Sequence, residues 1–427
     1  MRRIATAVTI AFCAAVSAQA QADFNEAFAD STLRVDYMLG GDASHQHISF
    51  AGQSKYAGWA GRRHSLDKLP YIGNGQVTVT DVNSGDTLYV NSFSTLFQEW
   101  LATPEAATTP RAMEHTMLVP LPKGKARIEL SLLDNRHRPM AKMSHVYRPD
   151  DELVAIRDHD KVAPHKYLHK GGDPARAIDV AILGEGYTAA ETDSFYHHAA
   201  QAVEAILGYE PFKSHSADFN FVAVETPSKE SGVSVPRTGD WKNTAFSSHF
   251  STFYSDRYLT TDRVHDIHNA LDGIPYEHII ILANTPEYGG GGIYNSYTLT
   301  AARHPMFMPV VVHEFGHSFG GLADEYFYQG DVMEDTYPFD IEPWEPNITT
   351  LRDFGSKWKH LLAKDTPVPT PVEKAAKYPV GVYEGGGYSF KGIYRPADEC
   401  RMRNNTYPTF CPACVDALNR LILFYTR

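Results

Sequence analysis

The alternation of apolar and polar positions divides the 427-residue chain into two regimes. From residue 23 to about 150 the period is two. Val77-Thr78-Val79-Thr80-Asp81-Val82 alternates, the polar turn Asn83-Ser84-Gly85-Asp86 follows, and Thr87-Leu88-Tyr89-Val90 resumes. The same pattern recurs over residues 117–121, the turn Pro122-Lys123-Gly124-Lys125, and residues 126–132. Short strands separated by polar turns predict a small all-β sandwich over residues 23–150. No cluster of catalytic residue types falls within it.

Residues 151–175 are polar and contain His169-Lys170-Gly171-Gly172-Asp173-Pro174, which predicts a linker. The period then changes. Residues 178–183 read as a buried strand ending in Gly184-Glu185-Gly186. Thr188-Ala189-Ala190-Glu191 has the spacing of a capping box, in which Thr and Glu satisfy the first free N–H groups; a helix should follow to Leu207 and stop at Gly208. Strands are expected at 219–224, 278–282 and 293–300, a helix at 262–271 closed by Gly273, and another helix opened by Pro309. This order predicts an α/β (α+β) domain with a mixed sheet over residues 176–427.

Composition adds three points. The chain is 43% hydrophobic and 21% charged, too apolar for disorder and long enough for two domains. Its net charge of -12 disfavours phosphate backbones, so nucleic acid is not an expected partner. The first 22 residues stand apart: Arg2-Arg3, an apolar stretch over residues 4–16, and the small-x-small sites Ala18-Gln19-Ala20 and Ala20-Gln21-Ala22 have the form of a secretory signal. The mature protein is therefore expected to be secreted or periplasmic. No later apolar run reaches the roughly 18 residues of a transmembrane helix.

The chemistry is concentrated in Val310-Val311-Val312-His313-Glu314-Phe315-Gly316-His317. His313 and His317, four apart on a helix, share one face and can bind a single Zn²⁺. Glu314 stands beside them as general base for a metal-activated water. Catalytic zinc takes three protein ligands, and Gly320-Gly321 can turn the chain back so that Asp324, or Glu325 beside it, supplies the third.

The segment H-E-F-G-H-S-F-G-G-L-A-D-E-Y, His313 to Tyr326, resembles the zinc metallopeptidases of the IgA-peptidase family, within the metzincin-like clan. In the usual metzincin pattern a glycine follows the second histidine by three residues and the third ligand follows by three more. Gly320 fits; Ala323 occupies the ligand position and Asp324 comes one later. Cys400-Arg401-Met402-Arg403 resembles the methionine turn of that clan, which makes Met402 the expected floor of the site. By the same analogy Tyr407 is a candidate transition-state donor. The β-rich segment is similar to the N-terminal domain of the family.

Other groupings carry less. The glycines of Tyr288-Gly289-Gly290-Gly291-Gly292-Ile293 would permit close backbone approach of an extended substrate. Cys411-Pro412-Ala413-Cys414 with Cys400 falls one thiolate short of a four-cysteine zinc site, and a disulfide between Cys400 and one of the other two is expected after export. His197-His198, His265 and His268 read as core or surface histidines. Asp331, Glu334, Asp335 and Asp340 read as a solvated acidic face, and residues 384–388 as a mobile loop beside the cleft. The chain is thus expected to be an exported zinc endopeptidase acting on protein or glycoprotein. The alternative is an exported protein- or glycan-binding protein whose zinc is structural.

Overall fold

The computed structural model describes residues 23–157, 162–328 and 336–427. The expected signal segment and the acidic residues Asp331, Glu334 and Asp335 lie outside the described residues. Among the described residues no helix is long and apolar enough to cross a membrane.

After the single turn α1 (Phe24–Ala27) come β1 (Phe28–Gly41), β2 (Gln46–Ala57), β3 (Gly75–Asp81) and β4 (Thr87–Phe93). The helix α2 (Leu96–Leu101) follows, then β5 (Arg111–Pro122), β6 (Ala126–Leu133), β7 (Pro139–Tyr147) and β8 (Ala155–Ile156). They form two four-stranded sheets, β5-β1-β2-β8 and β4-β3-β6-β7. The alternation read in the sequence is the cause. Leu33, Val35 and Tyr37 of β1 meet Val77 and Val79 of β3 and Ile128 and Leu130 of β6 in one core, while the intervening residues of β1 lie on the opposite face of the sheet. The region is not purely β, because Phe97 and Trp100 of α2 are buried in the same core.

The second region is a mixed α/β layer. It comprises β9 (His165–Lys170), β10 (Ile178–Glu185), α3 (Thr192–Leu207), β11 (Phe219–Val224) and α4 (Val264–Ala270). Then come β12 (His278–Ala283), β13 (Gly290–Ile293), β14 (Tyr297–Ala301), α5 (Phe307–Ser318), β15 (Tyr383–Gly386), β16 (Ser389–Arg395) and α6 (Pro412–Thr426). Six strands make one sheet in the order β13-β14-β12-β10-β11-β9. The four inner strands are parallel, and β9 and β13 run antiparallel at the edges. Every residue of β10, β11 and β12 is buried, the near-continuous burial of a sheet covered on both faces. Val180, Ile182, Phe221 and Ile280 pack against α3, α5 and α6; Ala181, Leu183, Val222 and Ile281 pack on the other face with Val264 and Ile267 of α4.

Several expectations change. The capping box forms, with the Thr188 backbone N–H donating to Glu191 (2.9 Å), and α3 ends against Gly208. The expected strand at 293–300 is instead the hairpin β13–β14, turned at Asn295, whose φ of 49° suits a short polar side chain. The histidine-bearing helix begins at Phe307, which puts Pro309 in the first turn, where its missing N–H costs nothing. The polar 151–175 segment contributes β8 to one region and β9 to the other. Residues 384–388 form the β15–β16 hairpin, with Gly385 and Gly387 at positive φ (94° and 54°).

The two regions are tied by directional contacts. Arg34, 1% exposed, bonds Asp36 (2.8 Å) within β1 and reaches across to Asn269 Oδ1 (2.9 Å) at the end of α4. Asn295 Nδ2 donates to Ser92 O (2.7 Å), and the Ser94 backbone N–H donates to Tyr294 O (2.8 Å). The N-terminal region therefore abuts the β13–β14 hairpin that borders the candidate site.

Candidate metal centre

Helix α5 forms because Val310, Val311, Val312 and Phe315 are buried, which compensates the modest helix propensity of valine. Its turn spacing stacks His313 and His317, whose Nε2 atoms are 3.0 Å apart. Beyond the helix Gly321 adopts a left-handed conformation (φ 60°), and a Cβ there would meet Trp344 at 2.9 Å. The Gly321 N–H closes on His317 O (2.9 Å) and Leu322 N–H on Gly316 O (3.1 Å), so the chain reverses. That reversal brings Asp324 Oδ1 to 3.0 Å from His313 Nε2 and 3.3 Å from His317 Nε2. Glu325 faces away, toward Cys414.

The outer ring atoms determine what the inner ones can do. His313 Nδ1 contacts Arg401 O at 3.0 Å and His317 Nδ1 contacts Leu322 O at 2.6 Å. A carbonyl only accepts, so each Nδ1 carries a hydrogen, and each Nε2, once it has given up any proton of its own, turns its lone pair into the cluster. Two imidazole lone pairs and a carboxylate oxygen thus converge. Their spacing suits a tetrahedral cation, for which metal–ligand bonds of about 2.0–2.1 Å give ligand–ligand edges of about 3.3 Å. The donor set therefore fits a divalent metal ion.

Electrostatics point the same way. Burial opposes charge on Asp324, yet His317 and His313 hold its carboxyl well below the usual range. Burial also opposes charge on His317, but Asp324 raises its pKa to about 9. The second oxygen of Asp324 accepts from the Tyr388 phenol (2.5 Å), and Tyr326 also bonds this carboxylate. Glu314, half-buried, is pushed upward by burial and by Asp324, while His313 and His317 pull it down.

Two contacts pack the helix. A Cβ on Gly292 would lie 2.2 Å from Glu314 O and 2.9 Å from His317 Cβ, so β13 rests directly on α5 and the glycine run is a requirement of that approach. Met402, fully buried, lies beneath the helix: its Sδ would be 2.8 Å from a Cβ on Gly316.

The structure brings His313, Glu314, His317, Asp324 and Met402 together. Tyr407 is half-buried on the turn whose N–H bonds Asn404 O, and its phenol makes no hydrogen bond to the three ligands. The phenols that do reach Asp324, Tyr388 and Tyr326, carried no spacing signal, although Tyr388 closes a glycine run and Tyr326 ends the motif. Glu99 was also illegible. It sits on α2 of the N-terminal region, accepts from the Tyr258 phenol, and feels His317, Glu314 and Asp324 electrostatically.

The expected disulfide is not formed. Cys400, Cys411 and Cys414 are free, and Cys400 Sγ and Cys414 Sγ are 3.7 Å apart against the roughly 2.05 Å of a bond. Three of the other histidines are engaged elsewhere: His198 with Tyr187 (2.8 Å), His268 with Tyr276 (2.5 Å) and His265 with His115 O (3.2 Å). Asp340 pairs in a fork with Arg136 (2.9 and 3.0 Å).

No curated protein matches the chain. The family described as IgA Peptidase M64 matches residues 167–379, which include the whole His313–Asp324 cluster. The family's own N-terminal domain, Peptidase M64 N-terminus, matches residues 23–144. With both regions matched in order, the chain belongs to the IgA peptidase M64 family.

Proposed function

We propose that this family member is an exported zinc-dependent endopeptidase, secreted or periplasmic, with a metzincin-like catalytic region behind a β-sandwich. The observation that carries the reading is the convergence of His313 Nε2, His317 Nε2 and Asp324 Oδ1, with both Nδ1 atoms committed to backbone carbonyls. Zinc bound there supplies Lewis acidity, which polarises a carbonyl and brings the pKa of a water to about 7.

The chain's own residues do the rest. Glu314 takes the proton of the attacking water and passes it to the leaving amine nitrogen. Arg401 O and Leu322 O hold the two imidazoles in one tautomer. Tyr388 and Tyr326 fix the rotamer of Asp324. Met402 supports the helix from below, the place of the methionine turn. Edge strand β13, backed by α5, offers its backbone to an extended peptide. The donor to the carbonyl oxygen is assigned to Tyr407 on the family resemblance alone.

The test is N-terminal sequencing of products from a proteome-derived peptide library. New N-termini that vanish with a chelator and return with zinc are expected. Cleavage that persists in chelator contradicts the mechanism, and no cleavage by metal-loaded protein favours a binding protein with a structural zinc.

A further inference from the structure

A second group of ligating atoms lies behind the first. Cys400 precedes Met402 by two residues, Cys411 caps α6, and Cys414 sits in its first turn. With Glu325 they bring one ligand atom each to within 4.8 Å of one another. Glu325, Cys400 and Cys414 have no exposed surface, and Cys411 is 3% exposed. The family match over residues 167–379 includes Glu325 and ends before the three cysteines.

The spacing is that of a coordination shell. Cys400 Sγ is 3.7 Å from Cys414 Sγ, and a tetrahedral site with metal–sulfur bonds of about 2.3 Å has sulfur–sulfur edges of about 3.8 Å. Cys414 Sγ is 3.1 Å from Glu325 Oε1. Backbone amides point at the sulfurs: Cys411 N and Met402 N at Cys400 Sγ (3.3 and 3.5 Å), and Cys414 N at Cys411 Sγ (3.5 Å). Such donors favour thiolate over thiol. Cys411-Pro412-Ala413-Cys414 also has the two-residue spacing of a zinc knuckle.

The carboxylate is the independent observation. Glu325 Oε1 accepts from Asn347 Nδ2 (3.0 Å), but Oε2 is buried with no hydrogen-bond partner. The Arg395 guanidinium, whose charge Glu325 feels, pairs with Asp398 (3.1 Å). A buried carboxylate without a cation is costly, and a disulfide would leave this one orphaned beside a spare thiol. A divalent ion satisfies all four groups at once.

We propose that Glu325, Cys400, Cys411 and Cys414 bind a structural zinc ion, separate from the ion at His313, His317 and Asp324. On binding, the three thiols lose their protons to solvent. The ion ties the Asp324–Glu325 segment to the turn that carries Arg401 and Met402 and to the start of α6. Glu325 N–H already bonds Met402 O (2.9 Å). It thereby fixes both the third ligand of the first site and the carbonyl that orients His313.

The experiment uses full-length protein purified without added chelator. Elemental analysis should find about two zinc ions per chain in the wild type and about one in the double variant His313→Ala, His317→Ala, by one ion per four-ligand shell. In that variant cobalt should give near-ultraviolet thiolate-to-cobalt charge-transfer bands. If it does not fold, the wild type decides alone: its three thiols should resist alkylation until the second ion is removed. A Cys400 disulfide in non-reduced mass spectra, or thiols freely alkylated in protein holding one ion, overturns the proposal.

Discussion

Asp324 and Glu325 are adjacent in the chain and face opposite clusters: Asp324 Oδ1 is 3.0 Å from His313 Nε2, and Glu325 Oε1 is 3.1 Å from Cys414 Sγ. Both side chains are buried. These two consecutive residues, which follow the Gly321 turn, thus join the histidine site to the cysteine cluster.

The Asp324 carboxylate depends on phenols that lie far away in sequence. Tyr388→Phe removes the 2.5 Å bond to Oδ2 and leaves the ring in place. Metal affinity should fall about 10- to 100-fold, the usual effect of losing a group that orients a ligand. Competition with a chromophoric chelator measures this, and unchanged affinity would show that Tyr388 does not orient Asp324.

Metal binding should be strongly pH-dependent. In the metal-free chain burial disfavours charged His317, but Asp324 dominates and raises its pKa to about 9. The ion must displace that proton, so apparent affinity should rise about tenfold per pH unit up to about 9 and flatten above. The folded pKa lies above the ordinary value of about 6.5, so this pair stabilises metal-free protein fully below about pH 6.5 and loses its effect as pH rises through about 9. Chelator competition across that window tests the first statement, and melts of metal-free protein test the second.

Close packing of β13 on α5 predicts an asymmetry between glycines. Gly292→Ala would place a Cβ 2.2 Å from the backbone oxygen of Glu314, and backbone cannot rotate aside. We expect destabilisation of about 1–3 kcal/mol. Gly52→Ala meets nothing within 4 Å and should stay within about 0.5 kcal/mol of wild type. Equal melting temperatures for the two variants would contradict this contact.

Period and caps made much of the fold legible. Alternation located β3 and β4, and the Thr188–Glu191 box and Gly208 bounded α3. The histidine pair was legible because helical spacing alone aligns i and i+4. Asp324 was the expected third ligand over Glu325, but what sets which of the two carboxylates faces the histidines is how the chain leaves Gly321, which no local pattern shows. Tyr388, Tyr326 and Glu99 reach the site through hairpin geometry and packing between regions, which leave no local pattern. The neighbour that Cys400, Cys411 and Cys414 share is not legible in the sequence for a related reason: Glu325 is 75 residues before Cys400, and only the fold brings them together.

The central claim, that Glu314 is the base of a metal-dependent peptidase, is tested most directly by Glu314→Gln assayed alongside its own metal content. The substitution keeps size and leaves His313, His317 and Asp324 untouched. The account predicts wild-type metal content with peptide cleavage lowered by about 10²- to 10⁴-fold. Full cleavage by the metal-loaded variant would contradict it.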